Sequence, residues 1–185
     1  RRVLFRSTVP YSSPIQIGAL TNWKQVAQGY ASTLAIKTDG TLWAWGVNDQ
    51  GNLGNGTRIH YSSPIQIGSL TNWSQVAVGY YNTSAIKTDG TLWAWGSNGF
   101  GRLGNNTTDN YSSPIQIGSL TNWSQVACGY FNLATKTDGT IWTWGRGDVG
   151  QLGNGTTTSY SSPIQVGISN GWGYINVNRN SAGAI

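Results

Sequence analysis

Residues 37–57 read KTDGTLWAWGVNDQGNLGNGT; the frame returns at 87–107 as KTDGTLWAWGSNGFGRLGNNT and at 136–156 as KTDGTIWTWGRGDVGQLGNGT. Asp-Gly between two runs of β-forming residues is a hairpin signal, because Gly takes the positive φ that the tight turn requires. The predicted strands are 34–37 and 41–45. Along the second, Trp43 and Trp45 project to one face, and Leu42 and Ala44 to the other. Working outward, YSSPIQIG begins at Tyr11, Tyr61 and Tyr111, and YSSPIQVG at Tyr160, so the spacings are 50, 50 and 49 residues. Residues 14–17 alternate apolar and polar after a proline suited to a strand's first residue, and 25–27 make a further short strand. The units are 11–60, 61–110, 111–159 and a partial 160–185, in which Trp172 aligns with Trp73 and Ile175 with Val76. The chain is expected to be about three and a half units of something longer. The 49-residue unit lost its residue between Gly129 and Lys136. A deletion inside a strand would reverse every following side chain, so a loop at Phe131-Asn132 is expected to absorb it.

Composition agrees with this reading and closes several doors. With 26 Gly, 10 Trp and 9 Tyr among 185 residues, the chain is turn-rich and aromatic-rich rather than disordered. No apolar run approaches the roughly 18 residues that span a bilayer as a helix. One cysteine cannot form an intrachain disulfide, and one histidine with no glutamate leaves few ligands for a metal. Residues 1–7, RRVLFRS, match none of the later pattern and equal the translation of a common sequencing adapter, so they are set aside from fold reasoning. Removing Arg1, Arg2 and Arg6 leaves eight Lys and Arg against six Asp, a net +2 instead of +5. The basic pI then gives no argument for nucleic acid or membrane.

Four short strands in about 50 residues, with two apolar faces and no means of burying them alone, describe one β-propeller blade. The units resemble those of the regulator of chromosome condensation repeat family, in its bacterial and viral-metagenome style. Leu42 to Gly46, Asn48, Gly51, Leu53-Gly54 and Gly56-Thr57 carry the resemblance in the first unit. Leu92 to Gly96, Asn98, Gly101, Leu103-Gly104 and Thr107 carry it in the second, and Ile141 to Gly145, Gly150, Leu152-Gly153 and Gly155-Thr156 in the third. Gly147 departs from the loop Asn, and Asn106 from Gly. The resemblance implies an all-β fold, a seven-bladed propeller of four-stranded antiparallel blades, of which this chain is an incomplete part. Exposed blade faces of such a part could support self-association.

Residues with a chemical claim are mostly absorbed by this architecture. Asp39, Asp89 and Asp138 recur in Thr-Asp-Gly-Thr and are expected to serve the turn rather than catalysis or Ca²⁺. His60 stands without a cysteine or carboxylate motif, and Cys128 replaces Gln28 and Val78 as a small filler. The glycine loops lack the lysine and following helix of a phosphate cradle. The paired tryptophans repeat with strand period, as inter-blade packing requires, rather than as a sugar-stacking platform. Asn-x-Ser/Thr sequons at Asn55, Asn72, Asn82, Asn105, Asn106, Asn122 and Asn154 follow from duplicating an Asn-rich unit.

What differs between units is expected to carry function, because binding residues gather on loops of rigid scaffolds. The candidates for partner contact are Tyr30, Asn48, Asp49, Tyr80, Tyr81, Asn98, Phe100, Tyr130, Phe131 and Arg146. Tyr30, Tyr80 and Tyr130 each follow a glycine and are expected to ring one propeller face. The reading is a non-catalytic scaffold without cofactor or metal, presenting variable loops to a protein or surface-glycan partner outside the cell, at its surface or on a virion. A structural component of a phage particle or cell-surface assembly is the alternative. Guanine-nucleotide exchange on a small GTPase with chromatin binding, which the resemblance would also imply, finds no matching segment.

Overall fold

In the computed structural model the structure describes residue 16, residues 19–167, and residues 172, 174–177 and 182–184. Residues 1–7 lie outside these, as does the strand expected at 14–17 apart from Gln16.

Three four-stranded antiparallel sheets follow one another along the chain. The first comprises β1 (Trp23–Gln28), β2 (Ser32–Lys37), β3 (Leu42–Gly46) and β4 (Tyr61–Gln66), hydrogen-bonded in that order. The second comprises β5 (Trp73–Val78), β6 (Asn82–Lys87), β7 (Leu92–Gly96) and β8 (Tyr111–Gln116). The third comprises β9 (Trp123–Cys128), β10 (Phe131–Lys136), β11 (Ile141–Gly145) and β12 (Tyr160–Val166), and a hairpin of β13 (Ile175–Val177) and β14 (Ala182–Ala184) succeeds it. A single 3-10 turn at Gly99–Gly101 is the one helical element among the described residues. These are the propeller blades that the repeat predicts. Their phase, however, differs from that of the sequence unit: each sheet takes its outermost strand from the YSSPIQ segment that opens the next unit.

The Asp-Gly hairpin forms as predicted, with Gly40 N donating to Lys37 O and Gly40 at φ 78°. Asp39 Oδ1 accepts from both the amide and the hydroxyl of Thr41, at 3.0 and 2.7 Å, and Trp43 Nε1 donates in turn to Thr41 Oγ1 at 2.9 Å. The Lys37 ammonium lies 3.7 Å from the Trp43 ring centroid. The same Asp–Thr–Trp–Lys chain recurs at Asp89 and Asp138. Hydrogen bonds from Thr hold all three carboxyls below their ordinary range.

The core lies between sheets. One cluster joins Leu34, Leu42 and Leu53 of the first blade to Trp73, Val76 and Trp95 of the second; another joins Leu92, Leu103 and Ile117 to Trp123 and Trp144. Trp95 and Trp144 are fully buried. Each donates its indole N–H to a carbonyl in the preceding blade's loop, Trp95 to Asn52 at 3.0 Å and Trp144 to Arg102 at 2.9 Å. Burying one such side chain stabilises by about 4–6 kcal/mol on transfer bookkeeping. Gly54 and Gly104 make room for these rings: a Cβ would sit 2.6 Å from Trp95 Nε1 at the first and 2.8 Å from Trp144 Nε1 at the second. Successive inner strands β1, β5, β9 and β13 contact one another and line a common space of about 400 Å³. Gln25 clamps two of them, donating to Val76 O and accepting from Val76 N, both at 3.0 Å. Gln75 Nε2 reaches Ser124 O at 2.6 Å.

The missing residue of the third unit is absorbed in a turn. Val78 pairs with Thr83 across a four-residue turn, whereas Cys128 pairs with Asn132 across three. Downstream register is unchanged: Ala134 faces Trp142 as Ala85 faces Trp93.

Candidate functional site

The turns joining the two inner strands of each blade, Gly29-Tyr30, Gly79-Tyr80 and Gly129-Tyr130, meet around the propeller axis. They approach so closely that a Cβ on Gly29 would lie 2.3 Å from Gly79 O, and one on Gly79 2.7 Å from Gly129 O. Tyr30 N donates to Gly79 O across the blade boundary at 3.4 Å. That approach sets the tyrosines side by side. Ring centroids are 4.4 Å apart for Tyr30 and Tyr80 and 4.9 Å for Tyr80 and Tyr130, with interplanar angles of 35° and 29°. Tyr81 packs edge-on to Tyr80 at 4.7 Å. The expected tyrosine grouping is therefore a stack, in which both faces of Tyr80 are covered by its neighbours. Burial, then the neighbouring Tyr30, raises the Tyr80 phenol above its usual range. Below the stack opens a cavity of about 300 Å³ between the glycine turns, Gln28, Val78, Cys128 and Val177.

Two guanidinium groups continue the stack on the far side of Tyr130. Arg102 Cζ lies 4.9 Å from the Tyr130 centroid and 5.7 Å from that of Phe100; Arg146 Cζ lies 5.7 and 5.4 Å from the same rings. Such cation–π contacts contribute about 0.5–2 kcal/mol each, more where water is excluded. Arg146 is held in addition by Asp148, with Nη2 to Oδ2 at 2.7 Å and Nε to Oδ1 at 2.8 Å. Phe100 sits at φ 64°, in the left-handed region, and is half exposed.

The structure thus brings Tyr30, Tyr80, Tyr81, Tyr130, Phe100 and Arg146 into one patch. Three other candidates need correction as contact residues. Asn48 and Asn98 are fully buried and organise their loops from within. Asn48 Oδ1 accepts from Leu53 N, while its Nδ2 donates to Asn55 Oδ1, Thr57 O and Ile59 O. Asn98 repeats the pattern with Leu103, Asn105 and Thr107. The shortened turn moves Phe131 into β10, where it pairs with Gly145 as Asn82 pairs with Gly96, and buries it completely. Asp49 is exposed, 3.4 Å from His60 Nε2.

His60 is a loop anchor: its Nδ1 accepts from Asn48 N at 2.9 Å, as Asn110 Oδ1 accepts from Asn98 N and Ser159 Oγ from Gly147 N. Cys128 is buried, and burial pushes its thiol up to about 12. Among the described residues no three His, Cys, Asp or Glu side chains group as metal ligands, and no helix is long and apolar enough to cross a membrane. The residue missed in the sequence is Arg102. It shares a loop position with Asn52 and Gln151, and a cation in a charge-poor loop was the available signal.

A family model described as the regulator of chromosome condensation (RCC1) repeat matches residues 39–86, 89–134 and 138–183, and a second model of that description matches 23–52 and 73–102. Among solved structures, the chain is similar to human WBSCR16 (TM-score 0.82, 23% identity), covering 92% of this chain and 47% of that one. It is also similar to Prp20p of Saccharomyces cerevisiae (TM-score 0.77, 18% identity, covering 87% and 42%). Yeast RCC1 (Prp20) bound to Kap60 matches with a TM-score of 0.80 and 21% identity over 94% of this chain and 44% of that one. The chain spans less than half the length of each of these solved chains, and at such identities the likeness is one of fold.

Proposed function

Since the chain belongs to the RCC1 repeat family, we propose that it is a non-catalytic scaffold whose tyrosine–arginine end face docks a protein partner. The observation that carries the reading is a division of labour. Most side chains that repeat from unit to unit build the sheets and their junctions; the repeated Tyr30, Tyr80 and Tyr130 stack at one end instead, and Tyr81, Phe100, Arg102 and Arg146, which differ between units, gather there with them. Tyrosine and arginine are the residue types that dominate binding energy at protein interfaces. A protein is favoured over a glycan because the patch combines tyrosine rings with two guanidinium groups, the residue types that dominate protein interfaces. The yeast neighbours are known with protein partners, Prp20p with Gsp1p and histones and yeast RCC1 with Kap60, which is in keeping with a protein partner here. The absence of catalysis is supported by the fate of the titratable groups: the three hairpin aspartates are engaged in their turns, His60 in its loop, and Cys128 in the core.

The test is selection of binders from a displayed protein library on the 185-residue chain, followed by affinity measurement on Tyr80→Ala. A central stacking residue should cost about 2 kcal/mol, roughly thirty-fold in affinity. Selected binders that are indifferent to Tyr80 and to Arg146 would place the interface elsewhere and refute the proposal.

A further inference from the structure

Arg102 is 7% exposed, and its Nε meets no hydrogen-bond partner. Among the described residues the two ion pairs are Arg146 with Asp148 and His60 with Asp49, so no carboxylate answers Arg102. The equivalent side chains behave otherwise. Asn52 turns back on its own loop, donating to Val47 O at 2.7 Å, and Gln151 does the same toward Asp148 and Val149. Arg102 instead reaches toward the next blade and lies against Tyr130. Its backbone carbonyl still receives the indole of Trp144, so the loop keeps its structural role while the side chain departs. Phe100, two residues earlier, holds a left-handed φ that a bulky residue rarely adopts, and its ring closes the other wall.

We propose that Arg102, walled by Phe100 and Tyr130, is the receptor for a single carboxylate, an Asp or Glu side chain presented by the docking protein. The inference rests on the protein-binding reading and names the chemistry of what docks. With Nε buried and the guanidinium held by two rings, its two terminal nitrogens are left to offer a carboxylate a bidentate partner at little further desolvation or ordering. The electrostatic balance also fits. Arg146 is neutralised by Asp148, which leaves one uncompensated positive charge and so calls for one negative group. A nucleic-acid backbone would be drawn instead by a spread of basic residues, and charged residues make up only 9% of this chain. Burial, together with the neighbouring Arg146 cation, lowers the Arg102 pKa from its usual value.

The experiment titrates the isotopically labelled chain with acetyl-Glu-Tyr-Glu-Tyr-Glu-amide, with its all-Gln counterpart, and with inorganic phosphate, and follows the Arg102 guanidinium and Tyr130 ring signals by NMR. The Glu peptide should shift both signals saturably, with at least about ten-fold higher affinity than the Gln peptide, and leave the exposed Arg58 unmoved. Arg102→Gln should abolish that preference, and Arg102→Lys, which keeps the charge but loses the planar fork, should weaken it severalfold. Equal response to the Gln peptide, an equal shift at Arg58, or no response would overturn the carboxylate receptor. Tighter saturation by phosphate would overturn it in favour of a phosphate site. The peptide exchange leaves the protein unaltered, so a folding defect in Arg102→Gln cannot mask the answer. If the carboxylate preference fails while Tyr80→Ala still releases library-selected binders, the protein-binding reading stands without it.

Discussion

Gly54→Ala isolates what the tryptophan contributes to each blade junction. Gly54, Gly104 and Gly153 occupy the same place in the Leu-Gly-Asn motif and have φ of 83°, 78° and 70°. An alanine at any of them therefore meets the same left-handed penalty, about 1–2 kcal/mol. Their surroundings differ. A Cβ at Gly54 would lie 2.6 Å from Trp95 Nε1 and 2.9 Å from its Cε2, whereas at Gly153 the nearest atom is Val166 Cγ1 at 3.7 Å. Displacing a fully buried indole that also donates to Asn52 O adds an overpacking cost of about 1–3 kcal/mol. Gly54→Ala and Gly104→Ala should thus cost about 2 kcal/mol more than Gly153→Ala, or about 6 °C in melting temperature for a chain of this size. Calorimetry measures the difference, and the Trp95 indole N–H resonance reports whether its hydrogen bond survives. Equal losses at Gly54 and Gly153 would mean that the backbone term is everything and that the tryptophan is not the junction's lock.

Three further outcomes follow from the same geometry. Asn98→Ala should destabilise by about 2–4 kcal/mol in chemical denaturation, because it strands the buried amide of Leu103 and frees the Asn105 and Thr107 acceptors; a cost below about 1 kcal/mol would show that the loop has other support. The carboxyls of Asp39, Asp89 and Asp138 are held below their reference of 3.8 in the folded chain, so their stabilisation is complete above that value and lost as pH falls through the folded values. Melting temperature should accordingly drop on acidification below 3.8, and Asp→Asn at all three positions should flatten that drop; a wild-type profile level from about pH 5 to about pH 2 would contradict the assignment. Cys128, with its thiol pushed up to about 12, should resist a thiol reagent in the native chain at about pH 8 and react on unfolding; rapid native labelling would contradict its burial.

The hairpin and the blade strands were legible because they rest on local chemistry: Asp-Gly takes one turn, and runs of β-forming residues flank it. The two-residue period was a poorer guide to burial, because neighbouring blades cover both faces and β6 and β10 are buried along their whole length. The placement of Trp95 against Asn52 O was legible only as a packing role, since its partner lies in the neighbouring blade. The patch was less legible for a similar reason. Variation between units marks both surface and repacked interior, and Phe131 differs from Tyr81 because a shortened turn drew it into a strand. Asn48 and Asn98 sit in variable loops yet are the loops' buried hubs, and Gly147 stands where a Cβ would meet Thr158 O at 2.1 Å. Arg102 carries no local signal of its contact, because Tyr130 belongs to the next blade.

The offset between sequence unit and sheet has a consequence for how such a gene can change length. The junction contacts link residues one period or somewhat less apart: Gln25 to Val76 by 51, Gln75 to Ser124 by 49, Trp95 to Asn52 by 43. A stretch of one period, cut at any phase, therefore contains one of each strand, one indole donor and one indole acceptor. Unequal exchange between two copies needs no preferred breakpoint to add or remove a whole blade. An event that copies one of the first three units also carries a Gly-Tyr turn, and so one more ring for the tyrosine stack, whereas a copy of the fourth brings Asn178-Arg179 at that place in the sequence.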